Sequence, residues 1–166
     1  IFIYYRGYGE WVKGRPLLIP KDARYDRHIT KYPLEELVSN LSRLSVIGSI
    51  NTITLFLDIT YLNYEDSAEL MWDFPDLPDK ICILSSSSNG ETSQIYEDKK
   101  HSFFTYTLLK GLAGAADDGN SFIDLGELTE YVYKTVPSVL RKQPGTIMQN
   151  PKFNGMDLKR IVLDLR

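Results

Sequence analysis

Three short apolar runs, separated by segments with helical periodicity, constrain this chain more than any other feature. The runs are Ile1–Tyr5 (IFIYY), Ile53–Leu57 (ITLFL) and Lys80–Ser85 (KICILS). Continuous apolar runs of this kind are typical of strands that are covered on both faces. Between the first two runs, apolar residues from Leu34 to Leu44 recur at helical spacing. The pattern therefore predicts an α/β fold with a mostly parallel sheet.

The remaining segments fit the same architecture. The stretch from Gly7 to Pro20 is loop-like and ends in a short extended piece, LLIP. Ser102–Leu112 and Asp124–Leu140 carry apolar residues at helical spacing, and Arg160–Leu165 (RIVLDL) predicts a last strand. We found no internal repeat, and the four consecutive serines from Ser85 are the only biased tract.

Composition limits the class of protein. The 166 residues are 43% hydrophobic and 25% charged, which predicts one globular domain over residues 1–166. The formal net charge of -3 and the absence of a basic patch argue against nucleic acid as a partner. No apolar run reaches the roughly 18 residues of a membrane helix. Cys82 is the single cysteine, so no internal disulfide can form, and we expect a reducing, cytoplasmic location.

Small and polar residues follow two of the predicted strands. Gly7-Tyr8-Gly9 predicts a tight, exposed turn at the end of the first strand, and Asp58-Ile59-Thr60 ends the second. In open α/β sheets, functional residues gather at the carboxyl ends of neighbouring strands. We therefore expect a functional site where these two segments meet.

Six segments, taken in order, resemble the motifs of the caspase-like cysteine peptidases, and the metacaspase branch more than the animal caspases. They read IFIYYRGYG, PLLIPKDA, TLFLDIT, KICILSSSSNGE, HSFFTYTLLKGLAGAAD and DDGNSFIDLGELTEYV. Each motif alone is weak, but together they extend to about Gly155. The resemblance implies a caspase-like αβα sandwich that lacks the family's first strands and helix. Since the chain also starts inside a strand pattern at Ile1, we expect it to be a fragment of a longer protein.

The resemblance places the family's catalytic histidine on Tyr8 and its catalytic cysteine on Thr60. That chemistry needs a thiolate nucleophile and an imidazole that takes and returns its proton. A tyrosine, with an ordinary pKa near ~10, is a poor base at neutral pH, and a threonine hydroxyl stays protonated. With both groups replaced, no intact catalytic residue remains. The sequence predicts a catalytically inactive pseudo-peptidase, with the Tyr8 and Thr60 side chains close enough to share a hydrogen bond.

Three further residues are candidates for binding a substrate or peptide. Asp58 stands where the resemblance implies an acid that holds an arginine or lysine of the substrate, through a charge-assisted pair. The competing interpretation is that Asp58 only caps backbone groups at the strand end. Ser85 and Ser86 lie in the serine-rich stretch, which carries no Gly-x-Ser-x-Gly elbow and predicts a loop that lines the cleft.

The acidic segment before the predicted helix at Asp124 faintly resembles a calcium-binding loop. The alignment puts Asp118, Asn120 and Glu127 on ligand positions, but Ala116 and Ser121 occupy positions that need an acid and a glycine. The simpler interpretation is a turn in which Asp124 or Ser121 caps the helix. We therefore expect no metal and no cofactor.

The remaining titratable candidates fit structural roles. Cys82 lies inside an apolar strand and is expected to be a buried core residue. His101 is expected at the front of a helix, and His28 in a charged surface loop. Neither histidine aligns with the lost base.

Three functions remain open at this stage. The first is a non-catalytic domain that binds a protein or peptide, with basic segments, a paralogue or a second copy as candidate partners. The second is an active cysteine endopeptidase or other hydrolase that is completed by a missing segment or an unrecognised nucleophile. The third is a structural interaction module of a multidomain protein.

Overall fold

The computed structural model describes residues 1–24, 26–27, 30–48, 50–62, 77–88 and 91–166. The helices are α1 (Leu34–Ile47), α2 (Phe103–Lys110) and α3 (Leu125–Leu140). The strands are β1 (Phe2–Val12), β2 (Arg15–Ile19), β3 (Tyr32–Pro33), β4 (Ile53–Tyr61), β5 (Ile81–Ser85), β6 (Ile95–Tyr96), β7 (His101–Ser102), β8 (Phe122–Asp124), β9 (Lys152–Asn154) and β10 (Ile161–Asp164). The prediction of an α/β fold is confirmed.

The main sheet has six strands in the order β3-β2-β1-β4-β5-β9. Its three central strands, β1, β4 and β5, are parallel. The flanking strands β2, β3 and β9 run antiparallel to their neighbours. The predicted parallel arrangement therefore holds for the centre of the sheet, where the apolar runs lie, and both edges of the sheet are antiparallel.

Apolar side chains pack on both faces of this sheet. On one face, Leu34, Val38 and Leu41 of α1 join a cluster with the odd-numbered residues of β4 from Ile53 to Ile59. On the other face, Phe56 belongs to a cluster formed mainly by α2 and α3. Because successive strand residues point to opposite faces, Asp58 and Thr60 lie on the same side as Phe56.

The segment Gly7-Tyr8-Gly9 is not a turn, and the prediction of a loop from Gly7 onward is wrong, whereas the extended piece at its end (LLIP) falls largely in β2. β1 continues to Val12 and pairs with β2 from Tyr8↔Ile19 to Val12↔Arg15 as a hairpin. Close packing explains the second glycine, because a Cβ on Gly9 would lie 2.8 Å from Cγ2 of Ile59 and 2.9 Å from Cε1 of Tyr61. Gly9 thus reflects close packing within the sheet, where the sequence pattern suggested a change of direction.

The predicted last strand forms as β10, but it pairs with β8 in a separate two-stranded sheet. A second small sheet joins β6 and β7 immediately before α2. Within the described ranges, no helix has the length and apolarity that crossing a membrane requires.

Asp124 is the cap of α3, as one of the two sequence-based alternatives predicted. Its carboxylate accepts from Glu127 N–H at 2.8 Å, and the Glu127 carboxylate accepts from Asp124 N–H at 2.7 Å. This reciprocal capping box satisfies two N–H groups at the helix start that would otherwise have no partner.

We expect Asp124→Ala to lower the free energy of unfolding by about 1 kcal/mol, because the first turn of α3 loses its acceptor. Urea unfolding followed by circular dichroism measures the change. Asp118→Ala, an exposed acid in the same loop, is the matched control and is expected to have little effect. Equal losses in both variants would contradict a specific capping role.

Candidate functional site

Tyr8 and Thr60 lie side by side on β1 and β4 as residues in direct register, near the end of the parallel pairing at Gly9↔Tyr61. In-register residues of parallel strands project to the same face of a sheet, so the two side chains lie on one face of it. Tyr8 is 55% exposed and Thr60 is half-buried. The fold therefore brings together the two residues that the sequence singled out.

The predicted hydrogen bond between these two side chains is absent from the described part of the chain. Thr60 Oγ1 instead donates to the carbonyl oxygen of Ser93 at 3.3 Å. The Thr60 proton is thus directed at a backbone carbonyl, which does not act as a general base. The pair is therefore adjacent without being coupled as a nucleophile and a base.

Asp58 lies two residues before Thr60 on β4 and is only 1% exposed. Its carboxylate is surrounded by hydroxyl groups. Oδ2 accepts from Ser102 Oγ at 2.5 Å and from Thr105 Oγ1 at 2.6 Å, while Oδ1 accepts from Ser93 Oγ. We call Asp58, Ser93, Ser102 and Thr105 the hydroxyl cage. Among the described residues, no backbone N–H donates to Asp58, so this side chain does not cap the strand end as one alternative proposed.

Tyr4 extends the hydroxyl cage toward the surface. Its hydroxyl lies 2.6 Å from Thr105 Oγ1. Since the Thr105 proton is directed at Asp58, Tyr4 is the donor in this contact. Burial raises the pKa of Tyr4 above its ordinary value, so this phenol stays protonated at neutral pH and serves as a donor.

Arg6 supplies a positive charge near the buried carboxylate. It is in register with Asp58, and its Nε lies 3.7 Å from Asp58 Oδ2. The Arg6 side chain is 40% exposed, so its guanidinium extends from the buried acid to the surface. The negative charge of Asp58 is thus balanced within the chain, and the cation is the charged group that the surface displays.

Ser85 and Ser86 lie at the carboxyl end of β5, and both are buried. Ser85 Oγ lies 3.1 Å from the Lys152 carbonyl of β9, while Ser86 Oγ accepts from Ile59 N–H at 3.3 Å. Ser86 N–H also donates to the Leu57 carbonyl at 2.8 Å. Both hydroxyls therefore bond to backbone groups of the sheet and its edge in this structure.

The acidic loop before α3 brings together Asp117, Asp118 and Glu127, whose nearest carboxylate oxygens lie within 4.8 Å of one another. Asp117 Oδ1 accepts from the N–H groups of Gly119, Asn120 and Ser121, each at 3.1 Å. The sequence alignment had put Ala116 first in the loop and overlooked Asp117. The side-chain oxygen of Asn120 accepts from Phe122 N–H at 2.7 Å. These contacts describe a tightly bonded turn.

Cys82 is fully buried in β5, which confirms the prediction of a core residue. His101 is half-buried in β7, directly before α2. The prediction for His28 falls outside the described residues.

A groove of about 700 Å³ lies over the same face of the sheet, beside the hydroxyl cage. Its walls are mostly apolar side chains from β1, α2 and β10. Arg6, His101, Thr105 and Tyr4 supply its polar groups. Sequence reasoning missed this groove and the cage, although Ser102, three residues before Thr105 at the start of an apolar helix, carries the pattern of a helix cap.

No family model matches this sequence, and no curated protein matches it.

Proposed function

We propose that this chain is a caspase-like domain that has lost peptidase chemistry and acts by binding a protein or peptide. The observation that carries the proposal is the register of Tyr8 and Thr60 on neighbouring parallel strands. The resemblance places a histidine and a cysteine at these two positions, and here they hold two hydroxyl side chains. The αβα arrangement of helices on both faces of the sheet is compatible with that fold.

The polar groups near the pair support a binding role. Thr60 donates to a carbonyl, and Ser93, Ser102 and Thr105 donate to Asp58. Each of these hydroxyls already has a hydrogen-bond partner, and none of them combines an exposed nucleophile with an adjacent base. The same face carries an apolar groove with Arg6 at its side, a surface suited to protein contact. A cytoplasmic location and the assignment to the caspase-like family belong to this proposal.

We expect no turnover of fluorogenic peptides with arginine, lysine or aspartate before the scissile bond, with or without calcium. Loss of both members of a catalytic pair removes about 10⁴-fold or more in rate, which puts turnover below detection. An active caspase-like peptidase assayed in parallel shows that the substrates are sound. Turnover that persists through purification and disappears in Thr60→Ala or Ser86→Ala would overturn the proposal.

A further inference from the structure

Arg6 and Asp58 repeat the arrangement of Tyr8 and Thr60 two residues earlier on the same two strands. Arg6 is in register with Asp58, as Tyr8 is with Thr60. Since side chains alternate between the faces of a sheet, all four side chains lie on one face. An arginine of this chain therefore lies directly beside the acid that the sequence singled out for holding a basic residue of a ligand.

The carboxylate of Asp58 has few acceptor positions left for a ligand. Ser102 and Thr105 donate to Oδ2, and Ser93 donates to Oδ1. An ionised carboxylate offers roughly four acceptor positions, two on each oxygen. Both positions on Oδ2 are thus in use. A bidentate pair with an incoming guanidinium needs one position on each oxygen, so it requires a hydroxyl of the cage to leave.

Arg6 supplies the positive charge that the buried carboxylate needs. Hydrogen bonds from neutral hydroxyls leave the charge of a buried acid in place, and such a charge is destabilising unless a cation lies beside it. Arg6 Nε lies 3.7 Å from Asp58 Oδ2, which is beyond hydrogen-bond length, so the contact is an ion pair. Among the residues that the structure describes, no other cation forms an ion pair with Asp58.

The same ion pair works against a basic ligand. A lysine or arginine that approached Asp58 would bring a second positive charge next to Arg6, whose side chain extends from the acid to the surface and is 40% exposed. Like charges placed together are a common means of rejecting a ligand. Because the ion pair joins two paired strands of the central sheet, it does not depend on what covers the outer edge of β1.

We propose that the hydroxyl cage is a cation subsite that Arg6 of the same chain occupies, and that Arg6 thereby excludes the basic side chains of a ligand. The subsite matches a guanidinium or primary ammonium group, which enters only when Arg6 is replaced by a small neutral residue. Arg6 is thus the residue that sets the specificity of this acid. The inference rests on the proposed binding function and removes basic segments from its candidate partners.

The test measures whether a free guanidinium can take the place of the Arg6 side chain. Thermal unfolding of the full chain is followed in methylguanidinium chloride and in potassium chloride at equal concentration, for the wild type and for Arg6→Ala. We expect Arg6→Ala to melt at a lower temperature than the wild type in potassium chloride. Methylguanidinium is expected to raise the melting temperature of Arg6→Ala by about 2–4 °C at roughly five times the dissociation constant, and this gain is expected to be absent from the wild type.

Three further variants make the test specific. Arg6→Ala with Asp58→Asn lacks the charge of the acid and is expected to show no gain. Arg43→Ala, which removes an exposed arginine of α1, is the matched control and is expected to behave as the wild type. Arg6→Gln removes the charge with less loss of packing. It is expected to show a gain as well, and it carries the test if Arg6→Ala does not fold.

Three results of this test would overturn the inference. A gain of equal size in the wild type would show that Arg6 does not close the subsite. No gain in the Arg6 variants would show that Asp58 does not hold a cation, and a gain that survives Asp58→Asn would place the probe elsewhere. Cleavage of peptides after arginine or lysine by the wild type would overturn this inference together with the proposed function, whereas cleavage after aspartate alone would overturn only the proposed function.

Discussion

Replacing Asp58 with alanine is expected to lower the free energy of unfolding by about 3 kcal/mol. Losses of this size are typical when several buried polar groups lose a shared hydrogen-bond partner. Three hydroxyl groups, from Ser93, Ser102 and Thr105, donate to this carboxylate. Removing it leaves those hydroxyls facing one another in a site that is almost closed to water, and it leaves Arg6 without its counter-charge.

Chemical unfolding in urea, monitored by tryptophan fluorescence, measures this effect. Asp22→Ala is the matched control, because Asp22 is an exposed acid, and it is expected to change the free energy little. Thr105→Val removes a single donor and is expected to cost about 1 kcal/mol. If Asp58→Ala costs no more than Asp22→Ala, the hydroxyl cage does not stabilise the fold.

The second large effect is expected at the buried ion pair between Lys31 and Glu10. Lys31 Nζ lies 2.6 Å from Glu10 Oε1, and the two side chains are 1% and 5% exposed. Lys31→Met keeps the length of the side chain but leaves the Glu10 charge buried beside an apolar group. We expect this single change to cost about 3–5 kcal/mol in the free energy of unfolding.

The double variant, Lys31→Met with Glu10→Met, is expected to be more stable than Lys31→Met alone, because no buried carboxylate then remains after the loss of the Lys31 charge. Thermal and urea unfolding of the four proteins in the cycle measure the coupling between the two residues. Lys134→Met breaks an exposed ion pair with Glu130 and serves as the control, with almost no expected change. Additive losses at Lys31 and Glu10 would show that the pair is not coupled.

The periodicity of the sequence was sufficient to predict the helices and the positions of the central strands. The prediction that the Ile1–Tyr5 run is covered on both faces is wrong, because Phe2 is 49% exposed and Tyr4 is 48% exposed. Leu34, Val38 and Leu41 follow one helix face and are buried, and the ITLFL run is a strand buried on both faces. These elements were predictable because their signals are local: apolar spacing and a cap such as Asp124 depend on neighbouring residues.

The surroundings of Asp58 could not be predicted in the same way. Its donors lie 35, 44 and 47 residues further along the chain and meet it only when α2 packs on the sheet. The glycines of IYYRGYG misled for a related reason. Glycine is the usual signal of a turn, but at Gly9 it leaves space for Ile59 and Tyr61, two residues from a strand distant in sequence.

The most direct test of the account asks whether positions 8 and 60 face each other in the cleft. We would measure the rate of alkylation by iodoacetamide against pH in Thr60→Cys and in Thr60→Cys with Tyr8→His. Wild-type protein, whose Cys82 is fully buried, gives the background. A facing imidazole lowers the pKa of a thiol from its ordinary value of ~8.5 toward neutrality or below.

We expect the introduced thiol to have a lower pKa in the double variant than in Thr60→Cys alone. That result would show that positions 8 and 60 keep the geometry of a cysteine–histidine pair, and that only the two catalytic side chains have been replaced. Identical pKa values in the two variants would contradict the account, because the two positions would then not form the pair on which the proposed function depends.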